Sequence, residues 1–316
     1  MLIFVLAALA LIAMVAERFQ LRIDDLRRQS ASLAHLARAR VAADNALAAG
    51  LYWLSTRPPG PAGFGKVGAL GLIADDRPYR LDTGGEIRDQ DLRGLYPLNA
   101  PERGSFARLL HGLGVEDSLD DSLLDILLDY EDTDSLKRLN GAEADDYARV
   151  GLPPPRNDWL LSVRELNRMP LWRDHPALVT SMESLASVSR IGIINPNTAP
   201  RRVLQAALAQ GMPDQIDRFE TLRERAPFDN ADLARAATGL SMTGDAYVFF
   251  VGNEQRLTVW APGMPQSLQY TVVLSPDGTS APWLISEVHP AARSILSGDA
   301  YDRVTPFPLD ISPGQP

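Results

Sequence analysis

The first sixteen residues, MLIFVLAALALIAMVA, carry no charge, no glycine and no proline. As an α-helix they span roughly 24 Å, close to the roughly 30 Å hydrocarbon core of a bilayer. A signal-peptide core is usually shorter, with basic residues before it and a small-residue cleavage site after it. Neither flank is visible here, so residues 1–16 are expected to be a membrane helix rather than a signal core or a buried soluble helix. From Glu17 the chain turns amphipathic and meets neither glycine nor proline until Gly50. Leu21, Leu26, Leu33, Leu36, Leu47, Leu51 and Leu54 recur at near-helical spacing, and Arg57-Pro58-Pro59-Gly60 stops the pattern. One helix from Met1 to about Thr56 would be roughly 84 Å long. Such a rod dictates the rest: its polar half needs a folded domain, or neighbouring subunits, to pack on.

The remaining length suffices for a sizeable core, and 45% hydrophobic against 22% charged residues excludes global disorder. With no cysteine, disulfides, thiolate metal sites and thiol nucleophiles are excluded. The net charge of −9 is localised. Glu116 to Asp146 holds twelve acids and two bases, a net of −10, which leaves about +1 for everything else. General nucleic-acid affinity therefore does not follow.

Beyond the rod the texture runs from β to helical and back to β. VGALGLI (67–73), PYRLDT (78–83) and GEIRDQD (85–91) read as short strands. Helices are expected at 105–113, 118–130, 161–169, 174–187, 198–210, 213–225 and 229–237. DAYVFFV (245–251) and QRLTVWA (255–261), joined by Gly-Asn-Glu, signal a hairpin, and LQYTVVL (268–274) and PWLISEV (282–288) flank another turn. The economical division is a helical stalk over 1–56, a first β part over 57–100, an inserted helical domain over 101–240, a second β part over 241–304 and a loose tail over 305–316.

Several motifs lack their required context. GPAGFGK (60–66) fits G-x-x-x-x-G-K, but Val67 stands where a Ser or Thr must reach the metal, and no strand precedes it. A flexible connection accounts for these glycines. INPNTAPRRVLQAALAQGMPDQ (194–215) has the rhythm of a helix-hairpin-helix module, with Asn197-Thr198 as a cap. Yet Arg201 to Arg235 carries six arginines and six acids, so the electrostatic footprint of nucleic-acid binding is missing. His35, His111, His175 and His289 are too scattered for a zinc site or triad. The remaining chemistry lies in LLDYEDTDSLKRLNGAEADDY (127–147). Its acids suit a solvated loop or a hard-cation cage, since calcium takes six to eight oxygen ligands. Paired carboxylates could also serve a membrane-anchored periplasmic carbohydrate-active enzyme, the alternative function to be weighed.

Four stretches, LLDYEDTDSLKRLNGAEADDY (127–147), NDWLLSVRELNRM (157–169), INPNTAPRRVLQAAL (194–208) and AADNALAAGLYWL (42–54), resemble the type II secretion system protein K family, the large minor pseudopilins. The resemblance spans nearly the whole chain. It implies an α+β pseudopilin fold, in which a long N-terminal helix packs on an antiparallel sheet and carries a large inserted SAM-like α-helical domain. It implies a non-enzymatic role in protein secretion: capping or initiating the pseudopilus tip with minor pseudopilins I and J, with pseudopilin H and the major pseudopilin as further candidate partners. The location implied is the bacterial inner membrane, crossed once, with the globular part in the periplasm and no nucleic-acid partner. It also implies Ca2+ in the helical domain, with Asp129, Asp132, Asp134, Glu143, Asp145 and Asp146 as ligands. The family's usual run is Gly-Ala-Glu-Asp with a Tyr soon after; here Gly141-Ala142-Glu143-Ala144-Asp145-Asp146-Tyr147 departs from it. Most pilin-like subunits place a Glu at position 5. If Met1 is the mature first residue, Val5 stands there, as expected for protein K, and the costly buried carboxylate is absent.

Overall fold

The computed structural model describes residues 1–66, 70–208, 212–242, 245–275, 277–279, 281–291 and 304–308. One unbroken helix, α1 (Leu2–Thr56), runs through the whole N-terminal stretch. Its first part is long and apolar enough to cross a membrane, and none of that apolar window is buried in the protein. The buried face begins only at Ala39 and continues through Ala43, Ala46, Gly50, Leu51, Trp53 and Leu54. Small residues at helical spacing let the rod lie close on a sheet. The earlier leucines are different: Leu21, Leu26, Leu33 and Leu36 stay exposed.

After the Pro-Pro break, β1 (Gly63–Lys66) and β2 (Leu70–Ile73) form a small antiparallel hairpin. The expected flexible connection is thus a strand. Gly63 is needed there because a Cβ would fall 1.9 Å from the Leu72 carbonyl oxygen. Val67 to Ala69, which opened the expected strand over 67–73, lie outside the described residues. Next, β3 (Asp75–Arg80) pairs antiparallel with β4 (Glu86–Asp91).

The chain then leaves the sheet through β5 (Tyr96–Pro97). It builds α2 (Arg103–Gly112), α3 (Asp117–Glu131), α4 (Ala144–Arg149), α5 (Pro176–Leu185), β6 (Ala186–Ser187), α6 (Arg201–Ala207), α7 (Pro213–Arg225) and α8 (Ala231–Thr238). Strand β6 pairs with β5 in parallel. The helix expected over 161–169 is a 3-10 helix, Val163–Arg168, closed by a capping box between Ser162 and Glu165. Helix α6 ends at Ala207, and residues 209–210 of the longer expected helix lie outside the described residues.

The sheet resumes with β7 (Glu254–Trp260), β8 (Ser267–Leu274), β9 (Trp283–Ala291) and β10 (Thr305–Pro306). Its strand order is β10-β3-β4-β7-β8-β9, antiparallel except for β10 against β3. The expected hairpin between 245–251 and 255–261 does not form. Strand β7 already has β4 on one side and β8 on the other, with Ile87 opposite Val259 and Leu257 opposite Tyr270. DAYVFFV instead crosses between two cores. Phe249 packs in the helical core, Val251 in the core under α1, and Tyr247 makes one bridge to Ile194. The tail expected to be loose from 305 instead opens as β10, with Phe307 buried in the core under α1 and its N–H on the Arg80 carbonyl; from residue 309 it lies outside the described residues.

Two apolar cores result. One fills the space between α1 and the sheet, around Trp53, Ile87, Leu257, Val259 and Val272. The other is helical, around Phe106, Leu127, Tyr130, Trp172 and Phe219. A buried polar lock joins them. Asp91, at the end of β4, accepts from Arg93 N at 3.1 Å and Gly252 N at 3.0 Å through Oδ1. Its Oδ2 accepts from Asn195 Nδ2 at 3.0 Å and Thr198 Oγ1 at 3.1 Å. Asn197 donates to the Phe228 and Pro61 carbonyls and accepts from Phe228 N. Asn197 and Thr198 therefore do not cap α6, whose N-cap is Pro200; they are spent on the junction.

Candidate metal centre

Helix α3 runs against its own dipole at its C-terminal end. It finishes with Asp129 and Glu131, has no basic residue in its last turn, and is followed by Asp132. Carboxylates beside unsatisfied helix carbonyls repel them, so this end needs positive charge. Asp129 is fully buried. Gly141 makes that possible, since a Cβ there would lie 1.8 Å from Asp129 Oδ2.

The following loop folds back to supply a cation of its own. The Arg138 backbone N–H donates to both Asp129 oxygens, at 3.4 and 3.2 Å. The Arg138 Nη1 lies 2.5 Å from Asp129 Oδ1 and also bonds Asp132 Oδ2. Asp134 shapes the loop, accepting from Leu136 N at 2.7 Å. Glu143 is the N-cap of α4 and forms a capping box with Asp146, whose Oδ2 takes the Glu143 N–H at 2.9 Å. Asp146 also pairs with Lys137 at 3.1 Å and with Arg149.

Electrostatics separate these acids into two groups. Burial pushes the Asp129 carboxyl up, against the Arg138 hydrogen bonds that pull it down. Burial also raises Glu143, and the charges of Asp129, Asp132 and Asp134 add to that rise. Glu143 thus feels the charge of the three aspartates. Asp146 is held low, first by the Glu143 backbone N–H and then by Lys137 and Arg149. Asp145 is exposed on the first turn of α4. The six candidate ligands thus differ in setting: Asp129 and Asp132 share Arg138, Asp134 holds the Leu136 N–H, Glu143 and Asp146 form the capping box, and Asp145 faces solvent.

Asp129, Asp132, Asp134 and Glu143 suit a hard cation in their chemistry. All are carboxylates, and Oδ1 of Asp132 and Oε1 of Glu143 are buried without a hydrogen-bond partner. Oxygens in that state are costly unless a cation or donor meets them. Among the described residues no three acidic or histidine side chains close around one point. The Arg138 head bridges two of them instead. Below the cluster, Tyr130 Oη and Arg156 Nε both bond Glu165 Oε2 at 2.9 Å, tying the end of α3 to the 3-10 helix.

The roles of Arg138, Gly141 and the Asp91 lock go beyond what the sequence reading assigned. A pair of bases inside a −10 segment was the available signal for Arg138. The four histidines stay apart in sequence and setting; His111 pairs with Asp117 and Asp120, and His175 is the N-cap of α5. The larger described cavity, about 610 Å³, lies between the helical part and the sheet, lined by residues such as Leu160, Arg190 and Thr271. None of the acidic cluster lines it.

Residues 88–188 match the family model for the type II secretion system (T2SS), protein K. This segment is a protein K domain. It begins inside β4 and ends just past β6, so it includes α3, the acidic loop and α4. Over that segment the chain is similar to protein K of the type II secretion system. The structure is also similar to a chain of the GspK-GspI-GspJ complex from the enterotoxigenic Escherichia coli Type 2 Secretion System. Identity is 16%, the match covers 85% of this chain and 99% of that one, and the TM-score is 0.49. No curated protein sequence matches the chain.

Proposed function

We propose that this chain is the tip subunit of a periplasmic pseudopilus, assembled with minor pseudopilins I and J and supporting protein export across the outer membrane. Residues 1–16 anchor it in the bacterial inner membrane, and the part from Ala39 onward stands in the periplasm. The observation carrying this reading is where the protein K domain sits. The helical part that holds most of it is inserted between β4 and β7, two neighbouring strands of the sheet that packs on the 55-residue α1. The pilin-like frame stays continuous beneath a bulky helical cap, and a cap of that size obstructs addition of a subunit above it. Exposed Leu21, Leu26, Leu33 and Leu36 on α1 offer the frame an apolar side for neighbouring helices.

A calcium ion held by Asp129, Asp132, Asp134 and Glu143 completes the reading. Its charge would offset the repulsion at the end of α3 and tie that end to the loop before α4. What supports it is the pair of buried, unpartnered oxygens on Asp132 and Glu143.

Two measurements test the proposal. Tagged full-length chain, co-expressed with I and J and extracted in detergent, is expected to bring both down. Replacing residues 94–251 with a short Gly-Ser linker is expected to leave membrane insertion intact and abolish secretion. The cut is feasible because Gly252 N lies 3.0 Å from Asp91 Oδ1. Normal pseudopilus assembly by that deletion would overturn the capping role. Melting of the full chain with calcium and with chelator tests the ion, because a ligand of the folded state raises the midpoint; equal midpoints would remove calcium from the account.

A further inference from the structure

We infer that Arg138 is a tethered competitor for the cation position: its guanidinium bridges Asp129 and Asp132 until an ion displaces it. This rests on the calcium reading and goes beyond it, because it assigns a role to a residue that is no ligand. The Arg138 head touches the two carboxylates that flank the end of α3. Its Nη1 is 2.5 Å from Asp129 Oδ1. Calcium holds carboxylate oxygens at about 2.3–2.6 Å, so nitrogen and ion cannot share that place.

The residue is built to leave. Its side chain is 36% exposed, so the head can swing toward water. Its backbone N–H bonds to Asp129 do not depend on the head and keep that carboxylate aimed in either state. Glu143 is nine-tenths buried, and its Oε1 takes no bond from the arginine. One guanidinium therefore answers two carboxylates, while the third keeps only backbone donors of α4 and leaves its Oε1 without a partner. In the bound state we infer, a divalent ion answers all three, which do not close around one point while the arginine head is in place. Lys137 is not an equivalent competitor, because its ammonium is held by Asp146 on the other side.

The consequence is a trade. Without calcium, Arg138 supports the loop; with calcium, displacing it weakens the measured affinity. Arg138→Met keeps much of the stem and removes the head. In the full chain in detergent micelles, titrated with calcium chloride by calorimetry, this variant is expected to bind about tenfold more tightly, the scale of one lost charge-assisted hydrogen bond. In chelator its midpoint is expected to fall below that of the unmodified chain, and in saturating calcium the two should converge. Arg138→Lys, which keeps a charge but not the fork, should lie between them and serves if the methionine variant folds only with the ion. Equal affinities in all three chains would overturn the inference and leave the calcium site standing. Weaker binding by Arg138→Met would also overturn it, making the arginine a support of the bound state. Loss of calcium binding in every chain, unmodified included, would remove the calcium reading itself and this inference with it. Asp129→Asn should abolish binding in the unmodified and Arg138→Met backgrounds; binding that survives there places the ion elsewhere and refutes the competition.

Discussion

Replacing Asp91 by alanine should uncouple the two cores, and the size of the effect follows from its bonds. The carboxylate accepts four hydrogen bonds in a fully buried setting. Two donors have a second acceptor: Asn195 Nδ2 also reaches the Pro61 carbonyl at 3.1 Å, and Thr198 Oγ1 the Asn195 carbonyl at 3.3 Å. The other two, Gly252 N and Arg93 N, are left with no such alternative. At about 1–3 kcal/mol for each orphaned donor, plus a smaller loss at the other two, Asp91→Ala should cost about 3–5 kcal/mol. Burial raises the Asp91 pKa despite its bonds, so removing the charge recovers part of the loss, and the lower half of that range is the better figure. Asp91→Asn keeps one acceptor oxygen toward Gly252 and Arg93 and should cost about 1–2 kcal/mol. Denaturant unfolding of the full chain in micelles, followed by circular dichroism, gives both numbers. Limited proteolysis near Val251 should show the junction opening first. An alanine variant within about 1 kcal/mol of the unmodified chain, or an asparagine variant as damaged as the alanine one, would refute the idea that this carboxylate locks the insert to the sheet.

Two other substitutions probe the frame. Gly63→Ala should cost about 2 kcal/mol or more and loosen the β1–β2 hairpin. The new Cβ meets backbone, the Leu72 carbonyl, which cannot rotate away, and the loss is read as a lower melting midpoint. Asp89 is fully buried, with neither oxygen hydrogen-bonded, and burial followed by the charge of Asp91 raises its pKa well above 3.8. The folded state therefore holds this proton more tightly than the unfolded chain. Its favourable contribution is complete below about pH 3.8 and falls as pH rises toward the folded value. Asp89→Leu should remove that loss and raise the midpoint at neutral pH, whereas a midpoint below that of the unmodified chain at pH 7 would show the carboxylate to be needed.

The rod, the two-part sheet and the helical insert were legible because each rests on a period or a break. The sixteen apolar residues, the Pro-Pro stop and the alternation in 255–261 and 268–274 are local signals. What escaped was set by distant partners. DAYVFFV alternates like a strand, but its apolar residues serve two different cores, and both edges of β7 were already taken. INPNTAP resembles a helix cap, yet its Asn and Thr side chains bond across more than a hundred residues to Asp91. In the acidic stretch, composition located the charge but could not rank the acids. Asp146 shares a capping box with Glu143 and Asp145 is exposed, and neither setting shows in spacing alone. Arg138 was visible as a base among acids, while its reach back to Asp129 depends on Gly141 clearing the way.

The lock and the acidic loop suggest why the cap is bound as it is. An apolar seam between insert and sheet would tolerate sliding, because burial is non-directional. Asp91, Asn195, Asn197 and Thr198 are instead satisfied at one relative placement, since Asn195 and Thr198 donate to the Asp91 carboxylate and Asn195 and Asn197 to the Pro61 carbonyl across the junction. The junction also lies where β4 exits and the chain returns to β7, so both crossings are pinned at one point. A rod that enters a membrane at one end can then pass an orientation to a helical cap at the other without a rigid linker. In the tip position proposed above, fixed direction would matter more than the few kcal/mol an apolar seam would have added.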